Sequence, residues 1–175
     1  MAGGEDFNEV VFEDVVVPKD RIVGEAGNGW AQVTSELAYE RSGPERFLSA
    51  FRVFVELVRF CGPEPTEYQA TVIGRIASHI MTLRRMSISV AGMLESGKDV
   101  VVEAALVKEL GNNFEKLLPE LARVVGSDGF SDFSRDGDLF RRTFEDTMLL
   151  SPSFTLRGGT REILRGVIAR GLGLR

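Results

Sequence analysis

A glutamate beside an arginine precedes the first strong helix break in this sequence. Glu40 and Arg41 lie immediately before Ser42-Gly43-Pro44, and proline removes a helical hydrogen bond and clashes with the preceding turn. A carboxylate held in an apolar pocket can act as a general base near neutral pH. The alternative is a solvated glutamate that pairs with a neighbouring charge such as Arg41 or Arg46.

A glycine-rich turn near the C-terminus, Gly158-Gly159-Thr160, is the second candidate. Glycines allow backbone to approach a ligand closely, and Thr160 is a good N-cap residue. The free amides of a helix N-terminus bind phosphate and other electron-rich groups. Glu162 falls in the first turn, where the helix dipole favours an acid. An ordinary cap between a loop and a helix would explain the same residues.

Other polar residues predict little chemistry. The run Gly126-Ser127-Asp128-Gly129 is typical of a helix C-cap followed by a turn. The single Cys61 excludes an intramolecular disulfide, and one cysteine with one histidine, His79, argues against a zinc site. We therefore predict no metal site.

Composition bounds the class of protein. The chain has 175 residues, of which 43% are hydrophobic and 27% charged, as in one soluble globular domain. Its net charge of −5 would repel nucleic acid. It contains no run of 18 apolar residues for a membrane span and begins without a secretory signal. A cytoplasmic location is the expectation.

The elements that would position these residues change character near residue 28. Residues 8–17 are rich in valine and stop at Pro18, which predicts one or two short strands. A strand pair is not stable alone. We therefore interpret residues 1–28 as the terminal strands and linker of a β domain that the sequence lacks.

From residue 29 to residue 175 the hydrophobic period is helical, which predicts one helical bundle domain. Asn28 caps a first helix and Thr66 a later one. A helix is predicted from about Asp99, and residues 131–138 are expected to form a loop before a helix at 139–149. That helix from Asp99 has the apolar positions Val102, Leu106, Leu110, Leu117, Leu121 and Val124. The predicted fold is mainly α, an up-and-down helical bundle preceded by a short β segment.

Both ends of the sequence resemble one known family. Residues 7–18, followed by Gly24-Glu25 and Gly29-Trp30, resemble the junction between the β domain and the C-terminal helical domain of acyl-CoA dehydrogenases. The ending, residues 159–165 and then Gly171-Leu172-Gly173-Leu174, resembles the C-terminal signature of that family. The resemblance covers nearly the whole chain and is weaker in the middle.

The resemblance implies an oxidoreductase of lipid metabolism that converts an acyl-CoA to a 2,3-enoyl-CoA. In that family FAD accepts hydride from the β-carbon, a glutamate removes the α-proton, and electrons pass to an electron-transfer flavoprotein. In many members the glutamate directly precedes the Gly-Thr of the signature, where this chain has Gly158. In others it precedes an arginine on the first long helix, which matches Glu40 and Arg41 here. Glu40 is then the implied base, and Arg41 supports it or the substrate.

The resemblance also implies residues for FAD. The C-terminal signature would place Gly159, Thr160 and Glu162 near the flavin. The family's Arg-x-Phe-Gly motif, supplied by a neighbouring subunit, is altered here to Arg59-Phe60-Cys61-Gly62, and its Gly-Gly-x-Gly loop is altered to the run between Gly126 and Gly129. These departures suit a divergent branch that works as a mixed pair of subunits.

Much of the flavin and substrate pocket in that family comes from domains that would precede residue 5. We therefore expect this chain alone to be inactive and to bind FAD weakly or not at all. A homo- or hetero-oligomer, a dimer or tetramer, is expected. The alternative is a non-catalytic helical module that has kept the bundle for oligomerisation.

Overall fold

The computed structural model of the chain describes residues 8–127 and 135–174. Within them the structure is helical and contains no strand, which confirms the predicted mainly α bundle. The helices are α1 (Gly29–Ser42), α2 (Phe51–Cys61), α3 (Glu67–Glu95), α4 (Val101–Val125), α5 (Arg135–Phe154) and α6 (Arg161–Gly171). None of these helices combines the length and apolar character needed to cross a bilayer.

The predicted β segment is not formed in residues 8–28. This stretch is irregular apart from a 3-10 turn at Lys19–Arg21, and its valines face solvent, with Val16 91% exposed. A strand needs a neighbour that pairs with its backbone N–H and C=O groups. No strand lies in the described residues to supply that pairing.

The helix start at Thr66 and the break at Gly43-Pro44 were predicted correctly, whereas the side chain of Asn28 makes no capping hydrogen bond at the start of α1. Thr66 and Gln69 form a capping box, in which each side chain bonds the backbone N–H of the other residue. The Gly43-Pro44 break separates α1 from α2 and forms a short 3-10 turn, Pro44–Arg46. The positions at which these helices begin and end are therefore determined by residues that are close in sequence.

The start of α5 corrects the predicted loop. Residues 135–138 are helical rather than irregular, and the helix continues to Phe154. Asp138 pairs with Arg141 at 2.6 Å and Arg142 at 2.9 Å, which are contacts at helical spacing that favour this turn. Residues 131–134, also predicted as loop, lie outside the described residues.

Helix α4 is the centre of the bundle and contacts each of the other five α-helices. The apolar positions noted in the sequence of α4 are not its most buried residues, since Leu110 is 44% and Val124 49% exposed and the other four residues are only partly buried. The buried residues of α4 instead combine large apolar side chains, such as Val107, Phe114 and Leu118, with small and polar residues: Ala104, Lys108, Gly111, Glu115 and Ala122. Small side chains let neighbouring helices approach closely, which the leucine face would not allow.

Two glycines of α4 mark its closest contacts. A Cβ at Gly111 would overlap the backbone carbonyl oxygen of Arg46, so glycine is what allows the Pro44–Arg46 turn to pack on α4. A Cβ at Gly126 would overlap the Phe140 ring, which stacks on Phe60 with centroids 5.4 Å apart. The first contact lies at a polar end of the bundle and the second at an aromatic end.

Candidate functional site

Glu40 in the last turns of α1 lies against the turn between α5 and α6. A Cβ built on Gly158 would lie 3.4 Å from Oε1 of Glu40. Gly158 and Gly159 have φ angles of +66° and +108°, a region that favours glycine. The two positions that sequence analysis singled out, on different elements, are therefore neighbours in space.

Arg46 holds the Glu40 carboxylate. Its NH2 lies 2.5 Å from Oε1 of Glu40, and its Nε donates to the Glu40 backbone carbonyl at 2.8 Å. The Glu40 side chain is 39% exposed, whereas that of Arg46 is 9% exposed. The pairing with a nearby arginine, which the sequence offered as the alternative to an apolar pocket, is thus present.

Arg41 lies beneath the same turn rather than on an open surface. Its Nε donates to the Gly158 carbonyl at 2.9 Å, and the residue is 8% exposed. Burial lowers the pKa of the Arg41 guanidinium, and the neighbouring Glu40 carboxylate raises it. In this position Arg41 stabilises the turn that faces Glu40.

A cluster of buried polar residues on α4 was not predicted from the sequence. Lys108, Asn112 and Glu115 have no exposed surface. The Lys108 ammonium donates to Asn112 Oδ1 at 2.5 Å and to the Phe154 carbonyl at 3.0 Å. Burial lowers the pKa of Lys108 to about 8, partly offset by the Glu115 carboxylate. Burial also raises the pKa of Glu115.

Arg157 joins this cluster to the turn. Its NH2 donates to Ser49 Oγ at 2.8 Å and lies 3.4 Å from Glu115 Oε2, and its guanidinium stacks 4.8 Å from the Phe154 ring centroid. The backbone N–H of Ser49 donates to the other oxygen of Glu115 at 3.0 Å. Charged contacts therefore connect the turn to both α4 and the segment before α2.

The N-terminus of α6 follows as predicted, with Thr160 at the N-cap position. Its side chain makes no capping hydrogen bond. The pKa of the Glu162 carboxyl is lowered by its own backbone N–H and by the Thr160 side chain. Farther along, Arg161 and Arg165 both donate to Oε1 of Glu109 on α4, at 3.2 and 2.9 Å.

The other candidate residues lie at the aromatic end. Arg59, 61% exposed in its side chain, pairs with the buried Glu56 at 2.8 Å. Gly126 packs against Phe140, and Gly129 lies outside the described residues. Phe140 lies near the start of α5 and Phe154 at its end. They are fourteen helical positions apart, which corresponds to about 21 Å. The structure thus does not bring Arg59 and Gly126 together with Gly159, Thr160 and Glu162.

Cavities and metal-ligand groups add no further chemistry at Glu40. A cavity of about 330 Å³ beside the helix break is lined by Tyr39, Ser42 and Pro44 among others, whereas Glu40 itself faces the Gly158 turn. A cavity of about 540 Å³ lies between α3 and α4, beside His79, which stacks on Phe114. Across residues 8–127 and 135–174, no three His, Cys, Asp or Glu side chains converge as metal ligands do.

Comparison with known proteins supplies a family. Residues 27–173 match the model of the acyl-CoA dehydrogenase C-terminal domain. The chain is 28% identical over 181 residues to acyl-CoA dehydrogenase IpdE1 of Mycolicibacterium smegmatis, covering 99% of this chain and 44% of that protein. It is 27% identical to acyl-CoA dehydrogenase FadE34 of Mycobacterium tuberculosis, covering 98% of this chain and 23% of that protein. The chain spans less than half the length of these curated relatives.

Solved structures show the same fold. A crystal structure of an acyl-CoA dehydrogenase from Mycobacterium smegmatis superposes with a TM-score of 0.73 at 20% identity, over 94% of this chain and 44% of that one. A chain described as the electron transferring flavoprotein of Acidaminococcus fermentans superposes with a TM-score of 0.74 at 22% identity, over 93% and 43% of the two chains. At these identities the likeness concerns the helical bundle alone.

Proposed function

This chain belongs to the acyl-CoA dehydrogenase family through its C-terminal domain, and from that premise we propose that it is part of a flavoenzyme that oxidises an acyl-CoA thioester to a 2,3-enoyl-CoA. One observation carries the proposal. The Glu40 carboxylate lies beside Gly158, so the position that has lost a side chain and the position that offers a carboxylate share one space. A base on either element would serve the same reacting atom.

The proposed role of Glu40 is to take the proton from the carbon next to the thioester carbonyl. Oε1 is the Glu40 oxygen that lies nearest to a Cβ built on Gly158, at 3.4 Å. Arg46 fixes the direction of the carboxylate through two contacts with Glu40. Because the Arg46 guanidinium occupies Oε1 of Glu40, substrate binding must loosen this contact before that oxygen can take a proton.

FAD, when bound, supplies the acceptor for the hydride from the β-carbon. The N-terminus of α6 offers only part of a site for such a cofactor: Thr160 makes no side-chain capping bond there, but the Glu162 carboxylate already bonds its own backbone N–H. Gly126 packs on Phe140, which lies about 20 Å along α5 from Phe154, and Arg59 pairs with Glu56 on α2. We propose that these two groups serve different parts of the cofactor or two cofactors in an oligomer, and that this chain alone binds FAD weakly or not at all.

Further parts of the proposal rest on the family and the composition. An acyl-CoA is the proposed substrate, an electron-transfer flavoprotein the proposed electron acceptor, and the cytoplasm the proposed location. The proposed boundary between a β-domain segment, residues 1–28, and the helical domain, residues 29–175, agrees with the match to the family model from residue 27.

The test of the catalytic role is acyl-CoA-dependent dye reduction by the complete flavin-loaded enzyme. We expect Glu40→Gln to lower turnover about 10²- to 10⁴-fold, the contribution typical of a general base, with the FAD content unchanged. Glu45→Gln is the matched control, since Glu45 is 55% exposed and reaches Arg46 only at 3.8 Å. Unchanged turnover in Glu40→Gln would remove Glu40 from the mechanism.

A second candidate function is a non-catalytic oligomerisation module. Exposed apolar side chains on α1 and α3 favour it: Trp30 is 81%, Met81 65% and Ile88 55% exposed. Light scattering combined with an absorbance scan after FAD addition separates the two functions. A stable oligomer without bound flavin or turnover in the complete protein would favour the module.

A further inference from the structure

A lysine with no exposed surface occupies the inward face of α4. Lys108 lies four residues from Ala104 and three from Gly111, both buried, so its ammonium points into the bundle. Its hydrogen bonds go to Asn112 Oδ1 and to the Phe154 carbonyl oxygen. Burying an ammonium is costly unless hydrogen bonds compensate it. A side chain placed at this cost makes a directional contact that an apolar residue could not make.

The contact with Phe154 caps a helix. Phe154 is the last residue of α5, and the final carbonyls of a helix have no partner within it. A cation at the C-terminus also complements the helix dipole. Lys108 therefore fixes the point at which the turn between α5 and α6 leaves the helix.

The rest of that turn is held by two more cations. Arg157, within the turn, bonds Ser49 and Glu115, and Arg41 from α1 donates to the Gly158 carbonyl. Lys108 makes the contact nearest the start of the turn, at Phe154, which lies four residues before Gly158. A shift of Phe154 would therefore move Gly158 relative to Glu40, whose Oε1 lies 3.4 Å from a Cβ at Gly158.

We propose that Lys108 is a positioning residue for Glu40. By holding the Phe154 carbonyl it fixes the turn that keeps Gly158 beside the Glu40 carboxylate and beneath which Arg41 packs. The consequence for catalysis rests on the proposed function, whereas the ordering of the turn does not. An apolar residue of the same length would fill the volume without fixing the turn.

The experiment compares Lys108→Met with Lys116→Met, a control on the exposed side of the same helix. We measure hydrogen exchange of the backbone amides of residues 155–160 and of the Arg41 Nε–H by NMR. Lys108→Met should speed exchange at these sites about tenfold, as expected from the loss of one charge-assisted hydrogen bond. Amides of α3 between residues 76 and 90 should not change. Turn exchange within twofold of the unaltered protein would overturn the proposal.

A measurement on the unaltered protein covers the case in which Lys108→Met does not fold. The Lys108 ammonium should give a slowly exchanging NMR signal with a through-hydrogen-bond coupling to the Phe154 carbonyl carbon. Absence of both the slow exchange and the coupling would overturn the proposal as well.

Kinetics of the complete enzyme separate this inference from the proposed function. Lys108→Met should lower kcat about tenfold with KM for the acyl-CoA nearly unchanged, because a misplaced base costs the chemical step rather than binding. Lys116→Met should leave both constants unchanged. If Glu40→Gln has no effect while turn exchange still responds to Lys108→Met, the proposed function fails and the ordering role of Lys108 stands. A normal kcat in Lys108→Met alongside an inactive Glu40→Gln would remove Lys108 from the positioning of the base.

Discussion

The two ends of the bundle are built from different interactions. At the aromatic end, Phe60 stacks on Phe140, and Gly126 lies directly against that ring. At the polar end, Lys108 and Glu115 are fully buried beside α6 and the turn before it. Residues of the same central helix, α4, pack against both ends.

The aromatic end contributes mainly to the stability of the fold, whereas the polar end fixes the positions of particular side chains. Apolar burial is non-directional and grows with the area removed from water, so the aromatic end adds stability with little demand on angles. Charged hydrogen bonds contribute less net free energy but fix distances and directions. The end that holds Glu40 against Gly158 is the end built from directional contacts. Variants at the two ends should therefore fail in different ways.

Truncating Phe140 should give the largest loss of stability. Phe140 is fully buried, and Phe140→Ala should lower the free energy of unfolding by about 3–5 kcal/mol, the usual cost of removing a buried phenylalanine. Urea denaturation measures this loss. Phe12→Ala, at a position 78% exposed, is the control and should change stability little. A loss confined to the turn at residues 155–160 would contradict the proposed division between the two ends.

Adding one methyl group at Gly111 should have the next largest effect. A Cβ there would overlap the Arg46 carbonyl, and overpacking costs about 1–3 kcal/mol. The better helix propensity of alanine offsets up to about 1 kcal/mol. We expect Gly111→Ala to lower the free energy of unfolding by about 1–2 kcal/mol and to weaken the contact between Arg46 and Glu40.

The control for Gly111 is Gly74→Ala on α3. No atom lies within 4 Å of a Cβ at Gly74, so only the propensity gain remains, and stability should rise by up to about 1 kcal/mol. Equal effects of the two substitutions in urea denaturation would show that the close approach of Arg46 to α4 is not maintained in solution.

Features encoded by neighbouring residues were predictable from the sequence. The capping box of Thr66 and the break at Gly43-Pro44 depend on backbone chemistry within a few positions. The proximity of Glu40 and Gly158 followed from the resemblance to the family and not from any local pattern, since 118 positions separate them. The strands expected in residues 8–17 depended on a pairing strand, and the described residues contain none.

The inward face of α4 was missed because it does not look like a core. Its residues repeat at alternating spacings of four and three, from Ala104 through Lys108, Gly111 and Glu115 to Leu118. Charged side chains at two of these positions made the leucine face of the same helix look more apolar. Small residues at core spacing on both sides of a lysine were the signal that could have identified a buried ammonium.

The charge on Lys108 should leave a signature in the pH dependence of stability. The pKa is about 8 in the folded protein and 10.5 in the unfolded chain, so the unfolded chain binds more protons between these values. The contribution of Lys108 to stability should therefore rise as the pH increases from 8 to 10.5. The charged groups that act on it are Glu115, Arg157, Arg46 and Glu40.

Unfolding of the unaltered protein and of Lys108→Met, measured across pH 7 to 10.5, isolates this contribution. The difference in free energy between them should move in favour of the unaltered protein as the pH rises. If this difference in unfolding free energy did not change with pH, the Lys108 ammonium would be hydrated and water would reach the polar end of the bundle.

Glu162 offers the smallest effect, in an acidic pH range, at the same end of the bundle. Its folded pKa lies below the ordinary 4.5 because its own backbone N–H and the Thr160 side chain stabilise the carboxylate. The stabilisation is fully present above pH 4.5 and is lost as the pH falls through the folded value. Glu162→Gln should therefore be slightly less stable than the unaltered protein at pH 6 and equal to it at low pH, as thermal unfolding at the two pH values would measure. Because Glu162 is exposed, salt should reduce the difference, whereas the pH response of the buried Lys108 should resist salt. If both responses were screened alike, the polar end would act as an ordinary charged surface, and the directional packing assigned to it would be absent.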